Sequence, residues 1–379
     1  MLSDHEKRRY ARQIALPQFG KEAQEKLLRS SVLVIGAGGL GCPALIYLAG
    51  AGLGRIGIVD HDLVSLSNLH RQIIYNVDDI GKQKADCASN AIKALNPDLK
   101  VNIYPFALNT ENAWDIVSQY DVIIDGTDHF ATRYMINDVC ALLGKPLIYG
   151  AVSGFEGQLA VFNATDNTGR KSVNYRDLFP VPPQEELIPN CEEAGVLGVL
   201  PGIIGTMQAN ETIKIISGIG TPLVNQLMTY NSLQNSFYQF DISAAKDSMA
   251  LIPANRKEFE EKNYEFDCAD PSKAIFTIDL DTFKTFIEKS DVLIIDVREF
   301  GEMPEVTEFR HLQMPMSSLN AEMHKFQETT IVAFCQIGQR SLIAARTMND
   351  FFGATKKVYS LGGGIVKWKK SHEHEGKGT

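Results

Sequence analysis

At 379 residues, 44% of them apolar, the chain is long enough for two or three domains with real hydrophobic cores. Its 37 basic side chains against 46 acidic ones leave a formal charge of −9, which argues against broad nucleic-acid binding. The opening Met1-Leu-Ser-Asp-His-Glu-Lys-Arg-Arg9 is polar and no apolar run is clean enough to span a bilayer, so a cytoplasmic protein with no membrane partner is expected.

Strand-like runs at Val32–Ile35, Ile56–Val59, Val101–Pro105, Val122–Ile124 and Leu147–Ile148 alternate with helical patterns at Gly41–Ala51, Lys82–Leu95 and Ala131–Leu143. That alternation predicts a mainly parallel sheet with helices on both faces. Gln158–Phe162 reads as a further strand, Phe179–Pro189 as a proline-rich crossing, the stretch to Ser217 as helical after Pro201, and Leu227–Phe240 as a hairpin. From Asp241 to Lys273 the chain is charged and aperiodic, and a linker is expected there. A second alternating unit begins near Ile275, with strands at Asp291–Asp296, Thr330–Cys335 and Lys357–Leu361, and a helix at Arg340–Phe352. It is large enough for a small α/β domain, and the His-Glu-His-Glu tail beyond it is expected to fray.

Gly36-Ala37-Gly38-Gly39-Leu40-Gly41 follows the first apolar run. Glycines there let the backbone turn tightly, approach a phosphate and open a helix whose amides face the anion, which suits NAD, FAD or ATP equally. The residues that follow narrow the choice. Asp60 ends the next strand, and Arg71, Lys84 and Asp128 come after it. Hydride transfer has no need of two cations and a spare acid around a phosphate, so phosphate chemistry is the preferred reading. An NAD-dependent oxidoreductase is the alternative that the glycine turn alone would favour.

From Arg9-Tyr10-Ala11-Arg12 to about Phe240 these motifs occur in order: the glycine turn, the Asp60/Asp62 strand end, Ser67-Asn68-Leu69-His70-Arg71-Gln72, Gly81-Lys82-Gln83-Lys84 and Asp125-Gly126-Thr127-Asp128. In this the chain resembles the MoeB/ThiF adenylyltransferases, relatives of ubiquitin-activating enzymes. The resemblance implies a Rossmann-like ATP-binding domain that adenylates the C-terminal Gly-Gly carboxylate of a ubiquitin-like sulfur carrier, using ATP and Mg²⁺. Arg71 and Lys84 would stabilise the charge gathering on the phosphate oxygens. Asp128 would hold Mg²⁺, Asp60 the ribose hydroxyls, and Asn68 an ATP-side contact, with Gly36, Gly38, Gly39 and Gly41 cradling the phosphates. The arginine matching Arg12 reaches the ATP of the neighbouring subunit, which implies a homodimer.

Six cysteines are scattered singly, the pattern of a reducing compartment. Cys335-Gln336-Ile337-Gly338-Gln339-Arg340-Ser341 lies between a predicted strand and helix, where loop amides and a helix N-terminus favour a sulfur anion. With Asp296-Val297-Arg298-Glu299 before it and Leu361-Gly362-Gly363-Gly364 after it, the stretch resembles a rhodanese; Phe309–Pro315 departs from that family's usual turn. Cys335 is then the sulfur carrier, Gly338 and Ser341 shape its loop, and Arg340 holds the anion or the loop. Cys191, after the crossing, matches a cysteine that bonds to the activated partner in MoeB/ThiF relatives. Cys42, Cys87 and Cys140 read as core filler. Many relatives hold zinc through two Cys-x-x-Cys pairs; here the first reads Asn174-Tyr175-Arg176-Asp177 and the second region offers only Cys268. No structural zinc is expected, leaving the crossover to packing alone.

The expected organisation is an adenylating domain over residues 1–245, a linker over 246–274, a rhodanese-like domain over 275–372 and a flexible tail over 373–379. The expected partners are a carrier of MoaD type, or ThiS type as the alternative, and an upstream sulfur donor such as a cysteine desulfurase. A non-catalytic scaffold that only binds such a carrier is the rival from another class.

Overall fold

The computed structural model describes residues 2–165, 172–180, 195–264 and 277–375, which fall into two units. The first reaches Tyr264 and the second begins beyond it.

The first unit is built on an eight-stranded sheet in the order β3-β2-β1-β4-β5-β6-β7-β8. Strand β1 (Ser31–Ile35) is buried along its whole length, as expected of an apolar run covered on both faces. It pairs in parallel with β2 (Arg55–Val59) on one side and β4 (Val122–Asp125) on the other. Strands β3 (Lys100–Tyr104) and β5 (Leu147–Ser153) extend the parallel part outward. Strands β6 (Glu156–Phe162), β7 (Gln226–Asn231) and β8 (Ser236–Asp241) continue antiparallel, the last two being the expected hairpin. Because Ile35 lies opposite both Val59 and Asp125, the carboxyl ends of the three central strands converge at one place. That place is the topological switch point, where open α/β sheets bind their ligands.

Helices α1 (Asp4–Arg9) and α2 (Ala11–Ile14) precede α3 (Gly20–Arg29), while α4 (Gly41–Ala51), α5 (Lys84–Leu95), α6 (Thr110–Val117) and α7 (Phe130–Leu143) connect the parallel strands. A short α8 (Tyr175–Leu178) leads to the crossing, of which residues 181–194, Cys191 included, lie outside the described residues. Helix α9 (Val199–Ser217) carries Pro201 in its first turn, where the missing N–H has no helical partner to lose. No helix among the described residues is long and apolar enough to cross a membrane.

The expected linker departs from the reading of its sequence. Helix α10 (Arg256–Glu261) forms within it, and Ile252, Phe259 and Tyr264 are buried in the first unit. Arg256 clasps Asp115 of α6 with both guanidinium nitrogens at 2.8 and 3.0 Å and lies over the Trp114 ring. A short charged segment has no visible apolar stripe of its own. One aromatic and one arginine are enough to seat it on a helix far away in sequence.

Nor is this region held by packing alone. Asn174 caps α8, and Asp177 accepts hydrogen bonds from Asn174 and from the Ala245 N–H and Ser248 hydroxyl at 2.7 and 2.5 Å. Beside it, Arg176 makes two 2.7 Å bonds to buried Asp138, which also accepts from the Tyr264 hydroxyl at 2.9 Å. Cutting Asp138 to alanine leaves the Arg176 cation buried and uncompensated. The expected cost is about 3–5 kcal/mol of unfolding free energy, read from urea melts of the full chain.

The second unit holds a five-stranded sheet in the order β11-β10-β12-β13-β9, every pairing parallel. Its strands are β9 (Thr277–Ile278), β10 (Val292–Asp296), β11 (Leu312–Gln313), β12 (Thr330–Phe334) and β13 (Lys357–Leu361). Helices α11 (Leu280–Ile287), α12 (Met316–Glu322), α13 (Gln339–Phe352) and α14 (Gly364–Glu375) surround it. The last helix runs to Glu375, so part of the expected tail continues α14 instead. Phe283, Phe309, Phe334 and Trp368 pack edge to face between sheet and helices.

Candidate functional sites

At the carboxyl end of β1, Gly36 has φ of +89°, and a Cβ there would lie 2.8 Å from the Gly126 carbonyl oxygen. A Cβ on Gly41 would lie 1.9 Å from the Gly36 carbonyl oxygen, so the turn closes on the N-terminus of α4 only with glycine at both places. A Cβ on Gly38 would stand in ordinary contact with Gln72 Nε2 at 3.6 Å, and one on Gly39 would press on Pro201 at 3.1 Å. The other terminal atom of the Gln72 side chain, Oε1, is buried without a hydrogen-bond partner. Gln72 escaped notice in the sequence because it sits inside a motif whose arginine drew the attention.

Asp60 follows β2, and its carboxylate accepts from the Ala37 N–H at 2.7 Å and the Asp62 N–H at 2.9 Å. It therefore pins the glycine turn. Burial raises its pKa, against the opposing pull of Lys84. The segment 62–64 pairs with 82–84, Val64 N–H to Lys82 carbonyl at 2.9 Å and Lys84 N–H to Asp62 carbonyl at 2.9 Å. This brings Lys84, first residue of α5, to 2.8 Å from Asp62 Oδ2. The Lys84 side chain is 7% exposed and that of Asp62 53%. Burial tends to raise the Asp62 pKa, but the hydrogen bond and charge of Lys84 prevail and lower it.

Arg71 lies across the turn, its Cγ 3.6 Å from where a Gly39 Cβ would be, and donates to the Ser67 carbonyl at 3.1 Å. Asn68 is half-buried, and its carbonyl accepts the Arg71 and Gln72 N–H groups. Asp128 is exposed just past the end of β4, beyond Asp125, whose carboxylate holds the Thr127 N–H and hydroxyl. Gly36, Gly38, Gly39, Gly41, Asp60, Arg71 and Lys84 are thus brought together. Arg12 is not. Its helix α2 is fastened by Gln13 to the carbonyl of Ala51, at the far end of α4. Eleven residues of helix separate that end from the glycine turn, about 16 Å.

The residues present fit a nucleoside triphosphate: a glycine turn at the head of α4, Lys84 and the Arg71 stem beside it, and a buried Gln72 amide oxygen lacking a partner. For Mg²⁺ the fit is an exposed carboxylate, Asp128, in keeping with that ion's preference for few protein ligands plus phosphate and water. Cys42 lies behind the turn, its thiol 3.2 Å from the Ala37 carbonyl and pushed up to about 12 by burial. Iodoacetamide applied to the native chain at neutral pH should leave Cys42 unmodified, as read by peptide mass spectrometry.

In the second unit Cys335 directly follows β12 and is fully buried. The Gly338 N–H points at its sulfur from 3.2 Å and the Ser341 hydroxyl from 3.5 Å. Gly338 adopts φ of +92° and opens α13, whose N-terminus faces the sulfur. Gly364 is as tightly placed, since its Cβ would come 2.5 Å from the Cys335 carbonyl oxygen. Arg340 binds both carboxylate oxygens of buried Glu302 at 2.6 and 2.7 Å. Of the two roles expected for Arg340, the structure displays the second: it ties the loop to the segment after β10. Glu302 carried no signal in the sequence, being one acid among several on a loop.

A doubly wound sheet with cations at its switch point, joined to a parallel sheet presenting a cysteine at a helix N-terminus, defines a nucleotide-binding protein with an attached thiol domain. The ThiF family matches residues 10–251 and the rhodanese-like domain residues 279–371, and the chain belongs to the ThiF family. The resemblance read from the motifs is borne out. A sulfur carrier protein adenylyltransferase of Thermus thermophilus is 49% identical over 234 residues, covering 62% of this chain and 86% of that protein. A probable adenylyltransferase/sulfurtransferase, MoeZ of Mycobacterium tuberculosis, is 40% identical over 381 residues, covering 97% of this chain and 94% of its own. In fold, the crystal structure of E. coli MccB with MccA-N7isoASN is similar at a TM-score of 0.54 and 20% identity, over 63% of this chain and 73% of that one.

Proposed function

We propose that the chain adenylates the C-terminal glycine of a ubiquitin-like sulfur carrier and then passes sulfur to it from Cys335. The observation that carries this reading is the placement of Arg71 and Lys84 beside the glycine turn, in a chain similar almost end to end to an adenylyltransferase/sulfurtransferase. The carrier's carboxylate attacks the α-phosphate of ATP, pyrophosphate leaves, and an acyl-adenylate forms. Arg71 and Lys84 lower the barrier by meeting the charge that builds on the phosphate oxygens. Lys84 exchanges its Asp62 partner for phosphate, and Asp60 keeps the turn in register while taking the ribose hydroxyls. Asp128 would hold Mg²⁺, which would supply further charge neutralisation.

The terminal sulfur of a Cys335 persulfide then attacks the acyl carbon and AMP leaves, giving an acyl disulfide. A thiolate, from Cys191 or an external thiol, attacks the Cys335 sulfur, forms a disulfide with it and releases the thiocarboxylate; an external thiol reduces that disulfide. A cysteine desulfurase or similar donor reloads Cys335. Arg12, exposed and anchored away from its own glycine turn, supports a homodimer in which it serves the other subunit's ATP. A cytoplasmic setting and a MoaD-type carrier complete the reading, with a ThiS-type carrier as the second.

ATP–pyrophosphate exchange with MoaD-like and ThiS-like proteins offered separately tests it. Exchange with one names the partner, and exchange with both marks a shared activating enzyme. Failure with both while ATP still binds would favour the scaffold.

A further inference from the structure

Beneath Cys335 lie two hydroxyls whose protons cannot satisfy every acceptor around them. Ser341 Oγ is 3.5 Å from the Cys335 sulfur, 3.1 Å from the Gly338 carbonyl oxygen and 2.8 Å from Ser360 Oγ. Ser360, on β13, is itself 3.4 Å from the same Gly338 carbonyl, and both side chains are buried. With a proton bridging the 2.8 Å contact between the two hydroxyls, two arrangements are possible. If Ser341 donates to Ser360, Ser360 turns to the Gly338 carbonyl and the sulfur receives no hydroxyl proton. If Ser360 donates to Ser341, the Ser341 proton is free to point at the sulfur or at the Gly338 carbonyl, and the bond it accepts makes it a stronger donor.

We infer that Ser360 is a positioning residue for sulfur transfer: by donating to Ser341 it directs the Ser341 hydroxyl onto Cys335 and stabilises the anionic sulfur. An ionised sulfur selects this second arrangement, because a hydrogen bond to a charged acceptor is the stronger one. Without Ser360, the Ser341 hydroxyl loses the bond that polarises it and donates more weakly to the sulfur. The inference rests on the reading of Cys335 as the sulfur-bearing residue. The other charged or titratable groups about the loop are the Arg340–Glu302 pair, the Arg298–Asp296 pair after β10, Lys367 of α14 over Gly363, and His311 against Phe334. None of these changes when Ser360 is replaced.

The test is a pH titration of thiolate ultraviolet absorbance in the full chain, with the Cys335→Ala spectrum subtracted so that only Cys335 is read. Ser360→Ala should raise the half-ionisation pH of Cys335 by roughly one unit. Ser341→Ala should shift it likewise, the double variant should shift no further than Ser341→Ala alone, and Ser360→Thr should titrate as wild type. Reloading of Cys335 by a persulfide donor, the step in which its thiolate attacks, should slow in Ser360→Ala and recover as pH rises. A wild-type titration of Ser360→Ala, or shifts that add in the double variant, would overturn the relay. Should Ser360→Ala not fold, a Ser360→Thr titration displaced from wild type does the same. If instead Cys335→Ala still transfers sulfur, the reading of Cys335 fails and the relay with it; Cys335-dependent transfer with an unshifted Ser360→Ala sinks the relay alone.

Discussion

Replacing Cys335 with alanine is expected to cut thiocarboxylate formation to below about a thousandth of wild type, with ATP–pyrophosphate exchange unchanged. The two readouts separate because the groups proposed for each belong to different sheets: Arg71 and Lys84 to the first unit, Cys335 to the end of β12 in the second. Alanine removes only the sulfur from a buried position, while the Gly338 turn and the Arg340–Glu302 pair still hold the loop. Carrier mass spectrometry and isotope exchange, run on the same preparation, decide the matter. A parallel fall in exchange would mean that adenylation depends on the second unit. Undiminished transfer would move the chemistry to another thiol, with Cys191 the first to examine.

Lys84→Met should lower exchange by about a hundredfold to a thousandfold, the size expected when one preorganised group facing transition-state charge is lost. Methionine keeps an unbranched stem in the buried part of the site. The Asp62 carboxylate left behind is more than half exposed and water replaces the lysine there, whereas buried Asp60 loses the pull of Lys84, so some stability at neutral pH should be lost. The pH dependence carries a sign. Asp62 is depressed in the native chain, so its pairing favours the fold above the ordinary aspartate range and that contribution is lost as pH falls through the native value. Without Lys84 the depression disappears, and the variant's melting temperature should fall less steeply on acidification than that of wild type. Lys84→Arg should not restore exchange, since a planar fork cannot stand in for a compact ammonium at the first turn of α5. Exchange near wild type in Lys84→Met would remove Lys84 from the chemistry.

Much of the nucleotide site was legible before any coordinates. The glycine turn, Asp60 and the motifs around Arg71 and Lys84 are local demands of backbone geometry and phosphate charge, and they lie in short runs. The turn after Cys335 was legible for the same reason, with Gly338 at positive φ between a strand and a helix. Asp62 was visible in its motif, but its hold on Lys84 depends on the pairing of 62–64 with 82–84. Helix α10 was missed because six residues are too short for a periodic signal, and its anchor, Asp115, lies 141 positions from Arg256. Position 177 was recognised only as a missing zinc ligand; that it takes hydrogen bonds from Ala245 and Ser248 is invisible until the chain folds back.

The sequence by itself determined the two α/β units, their order, the phosphate turn and the cysteine at the head of α13, because each is set by periodicity or by steric limits within a few residues. Only the tertiary structure decided the partners: Lys84 with Asp62, Arg340 with Glu302, Arg176 with Asp138, Ser341 with Ser360. The physical reason is that 37 basic and 46 acidic side chains offer far more pairings than any fold can use. Proximity, desolvation and a hydrogen-bond geometry that only the packed chain supplies select among them.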